Sequence, residues 1–360
     1  MDVFEWVSTA KSNNASDLHL SAGSRPQIRL NGDLICIDSY LPLTCDQVNA
    51  AFMQLATSDD LHRFQKDLDL DFKYVLPDGT YLRCNAAQER GKLSLSIRLL
   101  PPIIPTLDDL QLPEICKKLA TLRRGLVVVS GPTGSGKTTT QAALIQYINA
   151  NQTRHVLSFE DPIEYSHPNI KSKITQRELG SDIHSFAHAL KYAMRQDPDV
   201  IVVGEMRDSE TADAVISLAE TGHLVISTSH APYAAQAVER IIDLFPYNDR
   251  SLVQMRLASL LTAVLCQNLV PRADGSGRIA AVEIMLVNPA IRNLIREGKL
   301  SLLINALHDY GEKANVTLDE ALVKLYQQGI INMETVIKFC REPDEISRTI
   351  SYDLTQLPQM

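Results

Sequence analysis

The stretch Gly125-Leu126-Val127-Val128-Val129-Ser130-Gly131-Pro132-Thr133-Gly134-Ser135-Gly136-Lys137-Thr138 governs how the rest of this chain is read. Its opening is a short apolar run rich in valine, the pattern of a strand buried on both faces. Gly131 to Thr138 then fits G-x-x-x-x-G-K-[ST], and Lys137 to Asn149 reads as a helix. Strand, glycine loop and helix in that order are the context the motif requires. The glycines let backbone N–H groups curl around phosphate oxygens, and the helix N-terminus adds its positive pole. Lys137 is placed to reach the β- and γ-phosphates, and Thr138 to offer a hydroxyl to Mg2+. The competing reading is a glycine-rich turn with an exposed lysine. Nucleoside triphosphate binding is the expectation.

Outward from this loop, His155–Phe159, Val200–Val203 and Leu224–Thr228 are further apolar runs alternating with helical stretches. That alternation predicts a parallel sheet covered on both faces. In Ile201-Val202-Val203-Gly204-Glu205, Gly204 stands where many P-loop enzymes place a metal-binding aspartate. Glu205 is the one carboxylate at that strand end, where ligand groups collect in open α/β sheets. A lone acid there suits polarising the attacking water better than holding a metal. Phe159-Glu160-Asp161-Pro162-Ile163-Glu164 offers three more acids, of which Glu160 and Glu164 are candidates to supplement the charge around Mg2+. His223 precedes the fourth strand and His230 follows it, so they stand at opposite ends and cannot both touch one phosphate. His230 takes the position beside the γ-phosphate, whereas the residues around His223 favour packing or capping; a solvated turn is the alternative for the acids.

The first hundred residues are an α+β domain. Helices are predicted at Val3–Ser12 and Cys45–Leu55, hairpins at Arg25–Leu34 (turning at Asn31-Gly32) and Phe72–Asn85, and a strand at Leu93–Leu99. Pro101-Pro102-Ile103-Ile104-Pro105 marks a linker. The expected organisation is 1–100, a linker over 101–112, an ATPase core over 113–288 and a helical region over 289–360. Composition fits: 360 residues, 45% hydrophobic and 22% charged, with a net charge of −8. That acidic surface and an aromatic content of 6% argue against a nucleic-acid motor, the second class of reading. A scaffold that binds nucleotide without turnover is the third. Six scattered cysteines without a C-x-x-C pair suggest reduced thiols and no zinc site. The N-terminus lacks a signal-peptide pattern, and the longest apolar stretch, Leu257–Val270, is too interrupted to span a membrane, so a cytoplasmic chain is expected.

Gly131–Thr139, Phe159–Glu164, Gly204-Glu205-Met206-Arg207-Asp208 and Gly222-His223 with His230 resemble the Walker A, Asp box, Walker B and His box of the type II/IV secretion ATPase superfamily. Within it the chain resembles the PilT-like motors of type IV pili, also through Ala15–Leu20, Arg195–Asp199, Arg240–Asp243 and Ala290–Glu297. The resemblance implies a fold with a PAS-like N-terminal domain and a RecA-like P-loop ATPase domain with a helical C-terminal region. It implies a homohexameric ATPase, with ATP and Mg2+ as cofactors. Nucleotide contacts would include Thr139 and His223 beside the loop residues, and Thr138 and Glu160 would serve Mg2+, partly through water. Glu205, Glu164, Glu160 and His230, with Arg83 and Arg98 of the N-terminal domain, would form the catalytic set. The partners would be an inner-membrane pilus platform protein and a paralogous pilus ATPase, which places the chain at the cytoplasmic face of that membrane. The sequence departs from the family at Thr228-Ser229-His230-Ala231-Pro232 and at Tyr310–Asp319, a loose counterpart of a Gly-Met-x-Thr segment. Retraction is favoured over extension because no four-cysteine insertion follows Glu205.

Overall fold

A computed structural model describes residues 2–30, 33–100, 103–309, 315–344 and 346. The chain divides into two compact units, Met1–Ile103 with Glu164–Ser166, and Ile104–Ile163 with His167–Met360.

The first unit runs α1 (Val3–Ser12), β1 (Asp17–Ser21), β2 (Gln27–Leu30), β3 (Asp33–Cys36), α2 (Cys45–Leu55), α3 (Ser58–Asp67), β4 (Asp69–Val75), β5 (Tyr81–Glu89) and β6 (Lys92–Leu99). Its six strands form an antiparallel sheet in the order β3-β2-β1-β6-β5-β4. Strand periodicity sorts the side chains. Leu18, Leu20, Leu82, Cys84, Leu95 and Ile97 turn to one face, where they pack with Trp6, Val48 and Phe52 of the helices. The alternate residues turn the other way, which puts Arg83 directly opposite Arg98, and Arg98 opposite Asp17. Asp2 caps α1, and Thr44 and Thr57 close capping boxes on α2 and α3. The sequence reading passed over α3 because Ser-Asp-Asp-Leu-His-Arg-Phe-Gln-Lys-Asp is too polar to show an apolar stripe, and none of it is buried. Strand β1 was likewise not predicted. The expected turn Asn31-Gly32 lies outside the described residues, but the flanking strands pair Leu30 with Asp33.

The second unit runs α4 (Ile115–Ala120), β7 (Gly125–Ser130), α5 (Lys137–Asn151), β8 (His155–Glu160), β9 (Lys173–Glu178), α6 (Phe186–Ala193), β10 (Val200–Val203), α7 (Ser209–Glu220), β11 (Leu224–Thr228), α8 (Ala234–Asp243), α9 (Arg250–Leu260), β12 (Leu261–Pro271), β13 (Arg278–Leu286), α10 (Pro289–Arg296), α11 (Leu303–Asp309), α12 (Leu318–Gln327) and α13 (Met333–Phe339). Its sheet has the order β13-β12-β7-β11-β10-β8-β9, parallel throughout except between β12 and β13. Leu126, Val128, Ile201 and Val203 enter one hydrophobic cluster, while Val127, Val129, Val200 and Val202 enter another on the opposite face. This double burial explains why the strands read as unbroken apolar runs.

Two expectations need correction. Residues 107–112 are not linker, because Leu107 and Leu112 are buried in the core of the second unit; Pro101-Pro102 lie outside the described residues. The helical region does not stand apart from Pro289 onward. Ile291, Ile295, Leu303 and Leu307 of α10 and α11 belong to the cluster that includes Leu126 and Ile201. Only Leu318, Leu322 and Val336 of α12 and α13 form a separate cluster, with Val270, Ile279 and Ala281 of β12 and β13. Leu257–Val270 is the end of α9 followed by β12, a change from helix to strand that its apolar residues do not mark. Of the Tyr310–Asp319 segment, residues 310–314 lie outside the described residues, as does the chain from 347 on.

Candidate nucleotide-hydrolysis site

The loop after β7 is shaped by close backbone approach. Gly131 has φ +144°, and a Cβ there would lie 2.3 Å from the Gln267 carbonyl oxygen and 2.6 Å from Ser135 Oγ. Gly136, at φ +87°, is the N-cap of α5. Gln267 of β12 donates from Nε2 to the Ser135 carbonyl at 2.6 Å, tying the loop to the neighbouring strand. Sequence reasoning missed this residue; a polar side chain inside the Leu257–Val270 run was its signal. Ser135 Oγ is buried without a partner.

Lys137 opens α5 and is buried; its Nζ donates to the carbonyls of Gly131 at 2.8 Å and Pro132 at 3.0 Å. Burial lowers its pKa, against the pull of Glu205. The ammonium is thus turned back into a loop of backbone dipoles, and the Ser135 hydroxyl beside it is unmatched. Both features fit a phosphate group.

Glu205 lies just past β10, and its carboxylate is engaged at both oxygens. Oε2 lies 3.0 Å from His230 Nε2, and Oε1 binds Arg207. Burial pushes the Glu205 pKa up, but the Arg207 guanidinium and His230 outweigh it and hold the carboxyl below its ordinary range. His230 Nδ1 in turn lies 3.4 Å from Lys137 Nζ. Lys137, His230 and Glu205 therefore form one line across the ends of β7, β11 and β10. Backbone and hydroxyl contacts fix these ends. Ser130 Oγ donates to the Ala231 carbonyl at 2.7 Å, the Ala231 N–H returns to it at 3.0 Å, and Thr228 Oγ1 donates to the Gly204 carbonyl. A Cβ on Gly204 would meet the Phe159 carbonyl at 3.4 Å, so β10 and β8 run close where an aspartate was looked for.

Glu160 ends β8, the strand paired with β10, and a Cβ on Gly204 would lie 3.6 Å from the Glu160 Cα. It is buried, accepting from Ser158 and from Gln176 Nε2 at 2.9 Å. Glu164 falls with Tyr165 and Ser166 in the other compact unit. His223 was expected at the nucleotide, yet it precedes β11, roughly 13 Å of strand from the loop of its own chain. Its Nδ1 sits 3.1 Å from the Leu218 carbonyl and 2.9 Å from Thr221 Oγ1, at the C-terminal end of α7. Thr138 and Thr139 occupy the first turn of α5, half-buried. Arg98 is half-exposed and donates from Nε to Asp17 at 2.8 Å, whereas Arg83 has no carboxylate partner among the described residues.

Among the described residues no cluster of three or more histidines, cysteines or acids could hold a metal. A magnesium ion, which keeps its waters and takes one or two protein ligands beside phosphate, needs no such cluster, and the Thr138 hydroxyl fits that role. No helix among the described residues is long and apolar enough to cross a membrane.

The family model described as type II/IV secretion system protein matches residues 3–338. The chain belongs to that family. This member is 39% identical to the type IV pilus retraction ATPase PilT of Pseudomonas aeruginosa, over 96% of this chain and 99% of that one. It is 40% identical to the type IV pilus ATPase PilU of the same organism, covering 89% of this chain and 84% of PilU. Its fold superposes on a crystal structure of the pilus retraction motor PilT with bound ADP at a TM-score of 0.90 and 38% identity, covering 97% and 99% of the two chains. As a secretion ATPase it is a P-loop enzyme that binds and hydrolyses nucleotide.

Proposed function

We propose that this chain is a subunit of a homohexameric motor that hydrolyses ATP to retract type IV pili. The observation that carries the reading is the line Lys137–His230–Glu205 at the ends of three parallel strands. Lys137 leaves its loop carbonyls for the phosphates, and Gly131 to Gly136 supply N–H donors. Thr138 would hold Mg2+, which would supply charge neutralisation at the phosphates. Glu205 orients the attacking water and accepts its proton, while His230 keeps the carboxylate turned toward the loop and marks the presence of the terminal phosphate. Arg83 and Arg98 approach the nucleotide of an adjacent subunit, where guanidinium groups neutralise charge developing in the transition state. Hydrolysis around the ring then pivots adjacent subunits against one another. The moving surface acts on a platform protein at the cytoplasmic face of the inner membrane.

Glu205→Gln tests the chemistry. ATP binding should persist while turnover falls about 10²- to 10⁴-fold; normal turnover would remove Glu205 from the mechanism. Nearly equal identity to PilT and PilU favours a second reading, an accessory motor beside a principal one. Deletion distinguishes these: excess immobile pili mean a principal retraction motor, near-normal pili with weakened retraction an accessory one, and bald cells would overturn retraction.

A further inference from the structure

The backbone that carries Glu205 is pinned, and both oxygens of its largely enclosed carboxylate are held by polar contacts. Gly204 N–H donates to the Phe159 carbonyl at 2.8 Å, the Gly204 carbonyl accepts from Thr228, and Met206 is buried in the core. Asp208 then caps α7, its Oδ1 accepting from Thr211 N–H at 2.7 Å. Between these fixed points, the contacts at its two oxygens orient the Glu205 carboxylate.

One of those contacts is His230, and the other is Arg207. The Arg207 guanidinium spans two carboxylates from different strand ends: Nη2 binds Glu205 Oε1, and Nη1 lies 3.1 Å from Asp161 Oδ2 in the loop after β8. Arg207 is 59% exposed, so as a surface ion pair it would contribute little to stability. Its partners are more enclosed, Glu205 at 17% and Asp161 at 31%. The planar fork suits this bridging, because a guanidinium meets two carboxylates with separate N–H groups in a fixed geometry.

We propose that Arg207, anchored by Asp161, is a positioning residue that sets the Glu205 carboxylate for water activation. Two contacts on opposite oxygens define the plane of the carboxylate. Each leaves a lone pair free on its oxygen, so a water is oriented by a fixed acceptor rather than a rotating one. The inference rests on the reading that Glu205 polarises the attacking water.

The test compares Arg207→Gln, Arg207→Lys and Asp161→Asn with Glu205→Gln in the full-length assembly. The measurements are kcat and KM for ATP, binding of a fluorescent ATP analogue, and thermal melting. Arg207→Gln should lower kcat about ten- to a hundredfold with KM within about twofold and an unchanged melting temperature. Arg207→Lys should recover part of that loss, since it keeps the charge but cannot span both acids. Asp161→Asn should cost less than Arg207→Gln. Wild-type kcat in Arg207→Gln with an inactive Glu205→Gln overturns this inference alone; an active Glu205→Gln overturns the reading beneath it. A raised KM with kcat unchanged would make Arg207 a nucleotide contact, and a raised kcat would make it a restraint. Either result overturns the positioning role, as would an Arg207→Lys variant no better than Arg207→Gln.

Discussion

In the N-terminal sheet Arg83 alternates with Leu82 and Cys84, which are buried, so β5 has one face for the core and one turned away from it. In the second sheet Val200, Ile201, Val202 and Val203 are all buried, and no face is spare. Chemistry there is confined to strand ends, where Lys137, His230 and Glu205 gather. An antiparallel sheet with a helix layer on one side can therefore present polar side chains along its length. A parallel sheet clothed on both sides carries them only where its strands stop. Substitutions should divide accordingly.

The sharpest test is Arg83→Ala and Arg98→Ala. If the free face serves an adjacent active site, each should cost on the order of 10³-fold in turnover, measured by steady-state ATP hydrolysis, with the melting temperature within a degree or so. A loss of stability that tracks the loss of activity would break the contrast. Next is Ile226→Ala in β11, which should destabilise the second unit by about 2–5 kcal/mol in denaturant titration, because neither face of the strand can close the cavity. An effect below about 1 kcal/mol would mean that one side of that sheet is adaptable.

A pH effect of similar size should come from His167, which is buried with its pKa lowered to about 4 by desolvation. The unfolded chain takes up a proton near pH 6.5 and the folded chain only near 4. Stability is therefore full above pH 6.5 and falls between those values, by at most about 3 kcal/mol. His167→Phe should flatten that part of the pH–stability curve in thermal melts. The smallest effect expected is from Ser130→Ala. Losing its paired bonds to Ala231 should cost about 1–3 kcal/mol of stability and loosen the segment that carries His230, read as faster amide exchange at residues 229–232.

Much of the fold was legible because local signals and packing agreed. α1, α2, β7, β10 and β11 were read with the bounds they have, since each is either amphipathic at its own period or buried all round. α3 and the turn from α9 into β12 were not, because a polar helix leaves no stripe and a largely apolar run does not say where helix becomes strand. In the site, the phosphate loop, Glu205 and His230 could be named from spacing alone. The line from Lys137 through His230 to Glu205, the bridge from Glu205 by Arg207 to Asp161, and the clasp of Gln267 on the loop could not. Each joins residues from different strands, and strand order is set by which faces pack together.

What the chain determined by itself was the identity of its chemical parts: a glycine loop that only glycine can fold, a lysine at a helix start, an acid and a histidine at strand ends. Backbone sterics and hydrophobic period fix these locally, within a few residues. The tertiary structure alone decided which parts meet. Placing β11 between β7 and β10 brings His230 to both Lys137 and Glu205. Strand order follows from burying two apolar faces at once, a condition satisfied only by the whole sheet.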